Sequence, residues 1–270
     1  MIRLAIAGAT GRTGRRVVQQ AAGDERFELI AALSIPDDPL CGGRARVDGT
    51  EVPVTSTLCD RCDVLIDFTL PTGTMHWLDH CLEHATPMVC GVTGHTDEQS
   101  ARIRQAGETI PILHASNFSI GINLLAGLVG KVAAELGTAY DVEIVETHHK
   151  RKVDSPSGTA LTLVDAILAK TERSREDNVI WGRQGKTGQR PAGQIGVHAV
   201  RMGDIVGRHE IHFSGSGETI TLRHEAHSRD AFAAGALRGA AWIVGKPASI
   251  YTMRDVIAEQ NIGADRRGLA

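Results

Sequence analysis

Three features of the sequence predict an α/β protein built in two halves. Short, nearly all-apolar runs alternate with helix-compatible stretches through residue 115, and a glycine triplet follows the first of those runs. Beyond residue 120 the pattern changes to include strands in which apolar and polar residues alternate. At roughly 150 residues per domain, 270 residues correspond to about two domains. A chain of that length buries a core without disulfides or metals, and 42% hydrophobic with 23% charged residues is ordinary for a globular protein.

The elements follow in order. Residues 2–7 read as a strand running into Gly8, and 11–22 as a helix. A second strand spans 27–33, and residues 34–51, rich in Pro, Asp and Gly, read as a long loop. Strands at 63–68, 87–92 and 111–115 are separated by helices at 72–85 and 97–108. That alternation describes βαβ units, and strands this uniformly apolar are covered on both faces of a parallel sheet. The second half opens with a helix at 120–136, a strand at 142–147 and a helix at 157–170, with Ser157 as N-cap after Pro156. Strand-like runs at 194–202, 205–214 and 217–225 are parted by the turns Gly203-Asp204 and Gly215-Ser216-Gly217. An Ala-rich helix at 231–244 and a short tail finish the chain. The first half is therefore Rossmann-type, and the second is α+β with a mixed sheet.

Composition excludes several classes. Lys plus Arg number 29 against 32 Asp plus Glu, so the basic excess of a nucleic-acid partner is missing. No run approaches the roughly 18 apolar residues of a membrane span, since the longest, 120–129, is interrupted by Asn123. The N-terminus reads as a strand rather than a signal peptide. Five scattered cysteines do not form a disulfide framework, which predicts a reducing, cytoplasmic setting.

The glycine triplet is Gly8-Ala9-Thr10-Gly11-Arg12-Thr13-Gly14. Between a strand and a helix, such glycines permit a tight turn and bring backbone N–H groups up to a pyrophosphate at the helix N-terminus. The alternative is a structural glycine turn, which the surrounding βαβ pattern disfavours. Where an NAD site carries an acidic residue at the end of the second strand, this chain has Ser34. Losing that carboxylate removes repulsion against a 2′-phosphate, and Arg12 is available to pair with one. NADPH, or both NADPH and NADH, is the expected cofactor, although Asp37 and Asp38 lie close enough to restore NADH use.

The second informative stretch is His148-His149-Lys150-Arg151-Lys152-Val153-Asp154-Ser155-Pro156-Ser157-Gly158-Thr159, five basic or imidazole residues between a strand and a helix start. Cations beside the amides of Ser157-Gly158-Thr159 describe an anion site, and a lysine among them is a candidate proton donor. The competing explanation, a solvated charged loop, is weakened by the adjoining helix start.

This stretch resembles the signature of the dihydrodipicolinate reductase family of lysine and diaminopimelate biosynthesis. The likeness extends over nearly the whole chain, through the glycine loop, Asp67-Phe68-Thr69, Gly91-Val92-Thr93-Gly94, Ala115-Ser116-Asn117-Phe118-Ser119 and Arg201-Met202-Gly203-Asp204-Ile205-Val206-Gly207. The resemblance implies reduction of a small cyclic dicarboxylate by hydride from a nicotinamide. It implies cofactor binding by Gly8, Ala9, Thr10, Gly11, Arg12 and Thr13, by Gly91, Val92 and Thr93, and by Ala115, Ser116, Asn117 and Phe118. It casts His148 and Lys152 as the catalytic pair, with Lys152 as proton donor, and His149, Gly158 and Thr159 as holders of a substrate carboxylate. No metal is implied. It further implies a cofactor domain of residues 1–119 with 230–270, a substrate and oligomerisation domain of 120–229, and a homotetramer. Ser34 departs from the family pattern, which leaves cofactor preference open.

Other signals read as structural. Cys59-x-x-Cys62 with His76-x-x-x-His80 has zinc-finger spacing, but an apolar strand lies between the pairs and His76, His80 and His84 share one helix face. Cys41, Cys81 and Cys90 read as small buried hydrophobes. Glu143 and Glu146 alternate on one strand and are expected to pair with the basic loop. Two other functions remain: a non-catalytic NADP-binding redox sensor, and a reductase of this fold acting on another small carboxylate.

Overall fold

The computed structural model describes residues 1–47, 50–59 and 61–265. It divides into two compact units, Met1–Ile120 with Arg229–Ala270, and Gly121–Ser228. In chain order the elements are β1 (Ile2–Ala7), α1 (Gly14–Ala22), β2 (Phe27–Leu33), β3 (Arg44–Val47), β4 (Thr50–Thr55), β5 (Val64–Asp67), α2 (Pro71–Glu83), β6 (Met88–Cys90), α3 (Asp97–Ala106) and β7 (Pro111–His114). The second unit carries α4 (Ile120–Leu136), β8 (Asp141–His148), α5 (Gly158–Leu168), α6 (Arg175–Asn178), β9 (Val179–Trp181), β10 (Ile195–Arg201), β11 (Gly207–Ser214) and β12 (Thr219–Ala226). The chain then rejoins the first unit through α7 (Asp230–Ile243), β13 (Ser249–Tyr251) and α8 (Met253–Asp265).

In the first unit, seven parallel strands run in the order β13-β7-β6-β5-β1-β2-β4, and β3 adds antiparallel to β4 at one edge. Both faces are covered, as the uniformly apolar strands require. Leu4 and Ile6 point into one cluster with Val17 of α1, Leu237 of α7 and Met253 of α8, whereas Ala5 and Ala7 point into another with Leu78 of α2 and Ile103 of α3. Helix α3 opens with a capping box, Gln99 N–H donating to Thr96 Oγ1 and Thr96 N–H to Gln99 Oε1.

In the second unit, the five-stranded mixed sheet has the order β12-β11-β8-β10-β9. β10 is parallel to β8 and β9, while β11 is antiparallel to β8 and β12. One face is packed: Ile122, Leu125 and Val129 of α4 and Leu163, Val164 and Ile167 of α5 cluster with Ile144, Val197, Ile211 and Phe213. Val200, Met202 and Ile220 are exposed.

Three expectations are corrected. The loop expected at 34–51 contains β3 and the start of β4; Gly42, Gly43 and Pro53 mask a hairpin whose alternation shows only in buried Val52 and Val54. The tail expected after 244 is a strand and a helix. β13 is three residues long, too short to show a period, and α8 seats Met253 and Val256 in the first core. Finally, Ile120–Ala139, with mean hydropathy 1.4, is long and apolar enough to cross a membrane by composition alone, where the sequence suggested no such segment. Asn123 and Lys131 interrupt it less than its Leu, Ile, Val and Ala content compensates, and its buried residues belong to the core of the second unit.

Candidate active site

The carboxyl ends of β1, β5, β6 and β7 lie side by side, because the strands are parallel and adjacent in the sheet. The turn after β1 is made by backbone approach. Gly8 has φ +76°, and a Cβ there would sit 2.6 Å from the Phe68 carbonyl oxygen. A Cβ on Gly14 would sit 2.0 Å from the Gly8 carbonyl oxygen, so only glycine lets α1 start this close to the turn. Gly8 and Ala9 N–H both donate to the Leu33 carbonyl, tying the turn to β2. The first intrahelical donors are Arg15 and Arg16, which leaves the preceding amides at the positive end of the helix dipole. This cradle fits a dinucleotide.

Beside it lies a cavity of about 730 Å³ lined by Gly8, Thr10, Gly11, Ser34, Asp38, Leu70 and Trp77 among others. Asp38 turns back toward the end of β2: Ser34 Oγ and Thr10 Oγ1 each donate to its Oδ2 at 2.6 Å, and Leu40 N–H donates to Oδ1 at 2.9 Å. Those donors, Ser34 foremost, hold its carboxyl below the ordinary carboxylate range. Arg12 is exposed, and Thr13 stands at the N-cap position of α1 without a side-chain capping hydrogen bond. Ala9 is fully buried. Gly91, Val92 and Thr93 follow β6, and a Cβ on Gly91 would run into the Phe68 ring. Ala115, Ser116, Asn117 and Phe118 follow β7; the Phe118 ring is buried edge-on to Phe68, 5.7 Å between centroids.

In the second unit, the end of β8 and the start of α5 meet at one buried carboxylate. Glu146 has no solvent exposure. Its Oε2 accepts from His148 Nδ1 at 2.6 Å and from Arg201 at 2.8 Å, and its Oε1 accepts from Ser157 N–H at 2.9 Å and from Arg201 at 2.8 Å. Burial pushes its carboxyl up, but these donors outweigh it and bring the pKa down to about 2. Ser157 caps α5 by accepting from Ala160 N–H at 3.1 Å, so the expected N-cap is present. Its hydroxyl also lies 3.2 Å from His209 Nε2. Burial, and after it the neighbouring His148, pushes the His209 imidazole down to about 3, leaving it neutral. The His148 and His209 rings meet edge to face at 5.2 Å.

His149 is buried, and its N–H donates to the Ile205 carbonyl. Lys152 Nζ lies 2.8 Å from Asp154 Oδ1, an anionic partner the sequence did not assign. Gly158 is exposed, and a Cβ there would meet nothing within 4 Å, so the helix start opens onto free space. Thr159 follows it, half-buried. The residues expected to act on substrate, His148, His149, Lys152, Gly158 and Thr159, thus share one β8–α5 junction.

Of the two carboxylates that the sequence offered beyond Ser34, Asp38 is the one that reaches it. Two features escaped the sequence. Trp77 and His76 of α2 line the cavity, although the His76, His80 and His84 face had been taken as merely solvated. Arg201 clamps Glu146 from a neighbouring strand. The two strand carboxylates also part company: Glu146 pairs with His148 of the basic loop as expected, but the partners of Glu143 are Arg183, Arg190 and His198. Cys62 is buried, its thiol pushed up to about 11 by desolvation, which is the wrong state for a metal thiolate. Among the described residues, no group of three or more His, Cys, Asp or Glu is placed to hold a metal.

A glycine-built dinucleotide cradle at the carboxyl ends of a parallel sheet, with an imidazole and an ammonium beside a helix start in a second unit, defines a nicotinamide-dependent oxidoreductase of the Rossmann type. Family models sharpen that class: "Dihydrodipicolinate reductase, N-terminus" matches residues 2–118, and "Dihydrodipicolinate reductase, C-terminus" matches residues 121–257. The chain belongs to the dihydrodipicolinate reductase family, as its signature had suggested. A 4-hydroxy-tetrahydrodipicolinate reductase of Burkholderia thailandensis is 41% identical over 262 residues, covering 95% of this chain and 98% of the relative. The dipicolinate-bound dihydrodipicolinate reductase from Paenisporosarcina sp. TG-14 superposes with TM-score 0.72 at 29% identity, over 93% of this chain and 97% of that one. An amine dehydrogenase from Mycobacterium smegmatis shares the fold at 12% identity and TM-score 0.57, over 93% of this chain and 95% of that one.

Proposed function

We propose that this chain reduces 4-hydroxy-tetrahydrodipicolinate, with loss of water, to tetrahydrodipicolinate. What carries this is the β8–α5 junction, which sets His148 and Lys152 beside a helix start suited to a carboxylate. A bound nicotinamide supplies the hydride. The turn Gly8 to Thr13 holds the pyrophosphate, and the segments Gly91 to Thr93 and Ala115 to Phe118 hold the nicotinamide end. His149 and the amides of Gly158 and Thr159 bind a substrate carboxylate. Hydride arrival builds negative charge on the conjugated ring; His148 stabilises it and Lys152 Nζ delivers the proton that completes reduction. Residues 1–119 and 230–270 serve the cofactor, and 120–229 serve substrate and assembly. The outward face of the mixed sheet, where Val200 is exposed, suits packing against further copies in a homotetramer. Five free thiols suit the cytoplasm.

Replacing Lys152 by Ala tests the reading. It should lower kcat by roughly 10²–10⁴, the range for a positioned acid, and leave nicotinamide binding unchanged. Wild-type kcat in that variant would overturn the assignment, and absence of turnover by the wild type with tight NADPH binding would favour the redox sensor.

For the cofactor, we propose dual use with NADH favoured. The Asp38 carboxylate, held at the end of β2, would accept from a ribose hydroxyl and repel a 2′-phosphate. Asp38→Asn should raise the ratio of kcat/KM for NADPH over NADH by roughly tenfold, about 1.4 kcal/mol of removed repulsion. An unchanged ratio would place the discriminator elsewhere, with Arg12 the next candidate.

A further inference from the structure

We infer that Glu146, clamped by Arg201, is the positioning residue of this site, and that one carboxylate sets both the catalytic imidazole and the substrate-binding helix start. This rests on the reading of His148 and the α5 start given above. Each oxygen of Glu146 has the same two-donor pattern. One accepts from His148 Nδ1 and one guanidinium nitrogen, the other from Ser157 N–H and the second guanidinium nitrogen. With Nδ1–H bound to the carboxylate, the second ring nitrogen of His148, Nε2, is the one that faces reactants. The bidentate guanidinium fixes the plane of the carboxylate, and with it the angle at which the ring is held.

Two further features agree. A Cβ on Gly207 would lie 3.1 Å from His148 Nε2, so a glycine preserves the clearance around that atom. Arg201 Nη2 also donates to the Asp154 carbonyl at 2.6 Å, which ties the clamp to the segment between Lys152 and the helix. Movement of Glu146 would therefore rotate the imidazole, release the Ser157 amide and loosen the residue that pairs with Lys152. The carboxylate touches no substrate and moves no proton of its own. It acts through His148 and Ser157.

The test has two arms on the full chain. In the first, ¹⁵N-histidine labelling of the wild type, with His148 assigned by its loss in His148→Gln, reads the ring tautomer. The expected result is a proton that stays on Nδ1 throughout titration; a neutral ring carrying its proton on Nε2 overturns the proposal. In the second arm, Glu146→Gln should lower kcat by roughly 10²–10⁴. KM for the diacid should rise by a smaller factor, nicotinamide Kd should not change, and the Nδ1 signature should be lost. A Glu146→Gln variant whose kcat stays within about threefold of wild type overturns the proposal. Should that variant fail to fold, the wild-type tautomer decides alone. A wild type that shows the Nδ1 signature but does not reduce the diacid would refute the substrate assignment while leaving the positioning role intact.

Discussion

Asp67 and Glu146 make an instructive pair. Both carboxylates have no solvent exposure, and both lie near the carboxyl end of a central strand, β5 in one unit and β8 in the other. Asp67 accepts from Thr69 N–H at 2.8 Å, Thr69 Oγ1 at 2.6 Å and Thr74 Oγ1 at 2.7 Å, all neutral donors. Burial outweighs them and its carboxyl is pushed up. Glu146 has a guanidinium and an imidazole among its donors, and its carboxyl ends at about 2. Asp67 is the more deeply buried of the two and has no charged donor, so desolvation prevails at one site and the cationic partners at the other. The consequence is functional. A carboxyl pushed up by burial pins the Phe68–Thr69 turn, against which Gly8 packs, through neutral donors alone. The ionised one can hold an imidazole by its proton.

The strongest challenge to this contrast is removal of the cation. Arg201→Ala strands a buried carboxylate with one charged neighbour fewer, and should lower the free energy of unfolding by about 3–5 kcal/mol. Urea denaturation followed by circular dichroism measures it. A loss below about 1 kcal/mol would mean that Glu146 draws its low pKa from His148 and the Ser157 amide alone.

That pairing also marks where the sequence stopped being legible. The strands at 2–7 and 27–33 and the helix at 120–136 were readable to the residue, because each is long and strongly patterned. Ser157 as N-cap and the His148–Lys152 loop were readable because cap and charge signals are local. Arg201 was not. It stands 55 residues from Glu146, beside His148 in the β8–β10 register. The sequence suggested a mixed sheet, as found, but not that β8 inserts between β10 and β11, because no local pattern reports strand order. Asp38 was named beside Asp37 as a candidate, but its reach to Ser34 and Thr10 depends on how the Ile35-Pro36-Asp37 segment folds back, a matter of tertiary geometry rather than composition.

Acid titration gives a sharper discrimination, because the two groups contribute with opposite sign. The folded pKa of Glu146 is depressed from 4.5 to about 2, so its contribution is complete above 4.5 and is lost as pH falls through about 2. The folded pKa of Asp67 is raised above 3.8, so its contribution is complete below 3.8 and is lost as pH rises through the folded value. Subtracting the stability of Glu146→Gln from that of the wild type cancels the titrating groups that do not touch this cluster, Glu143 among them. That difference should shrink on acidification from 4.5 toward 2. The corresponding difference for Asp67→Asn should grow in the acid direction. Parallel slopes would erase the distinction between the two sites.

The smallest effect is expected from Asp67→Asn at neutral pH. The amide is close to isosteric with the carboxyl group, and its oxygen can still accept from Thr69 N–H and Oγ1. Its NH₂ would face Thr74 Oγ1, whose hydroxyl can turn to accept and has the Leu70 carbonyl at 3.4 Å as an alternative acceptor for its own proton. One exchanged hydrogen bond should cost about 1 kcal/mol or less, with nicotinamide affinity unchanged because the turn above keeps its pin. A loss of about 3 kcal/mol or more, the scale for a broken buried ion pair, would show that Asp67 works as a charge and that the two carboxylates are alike after all.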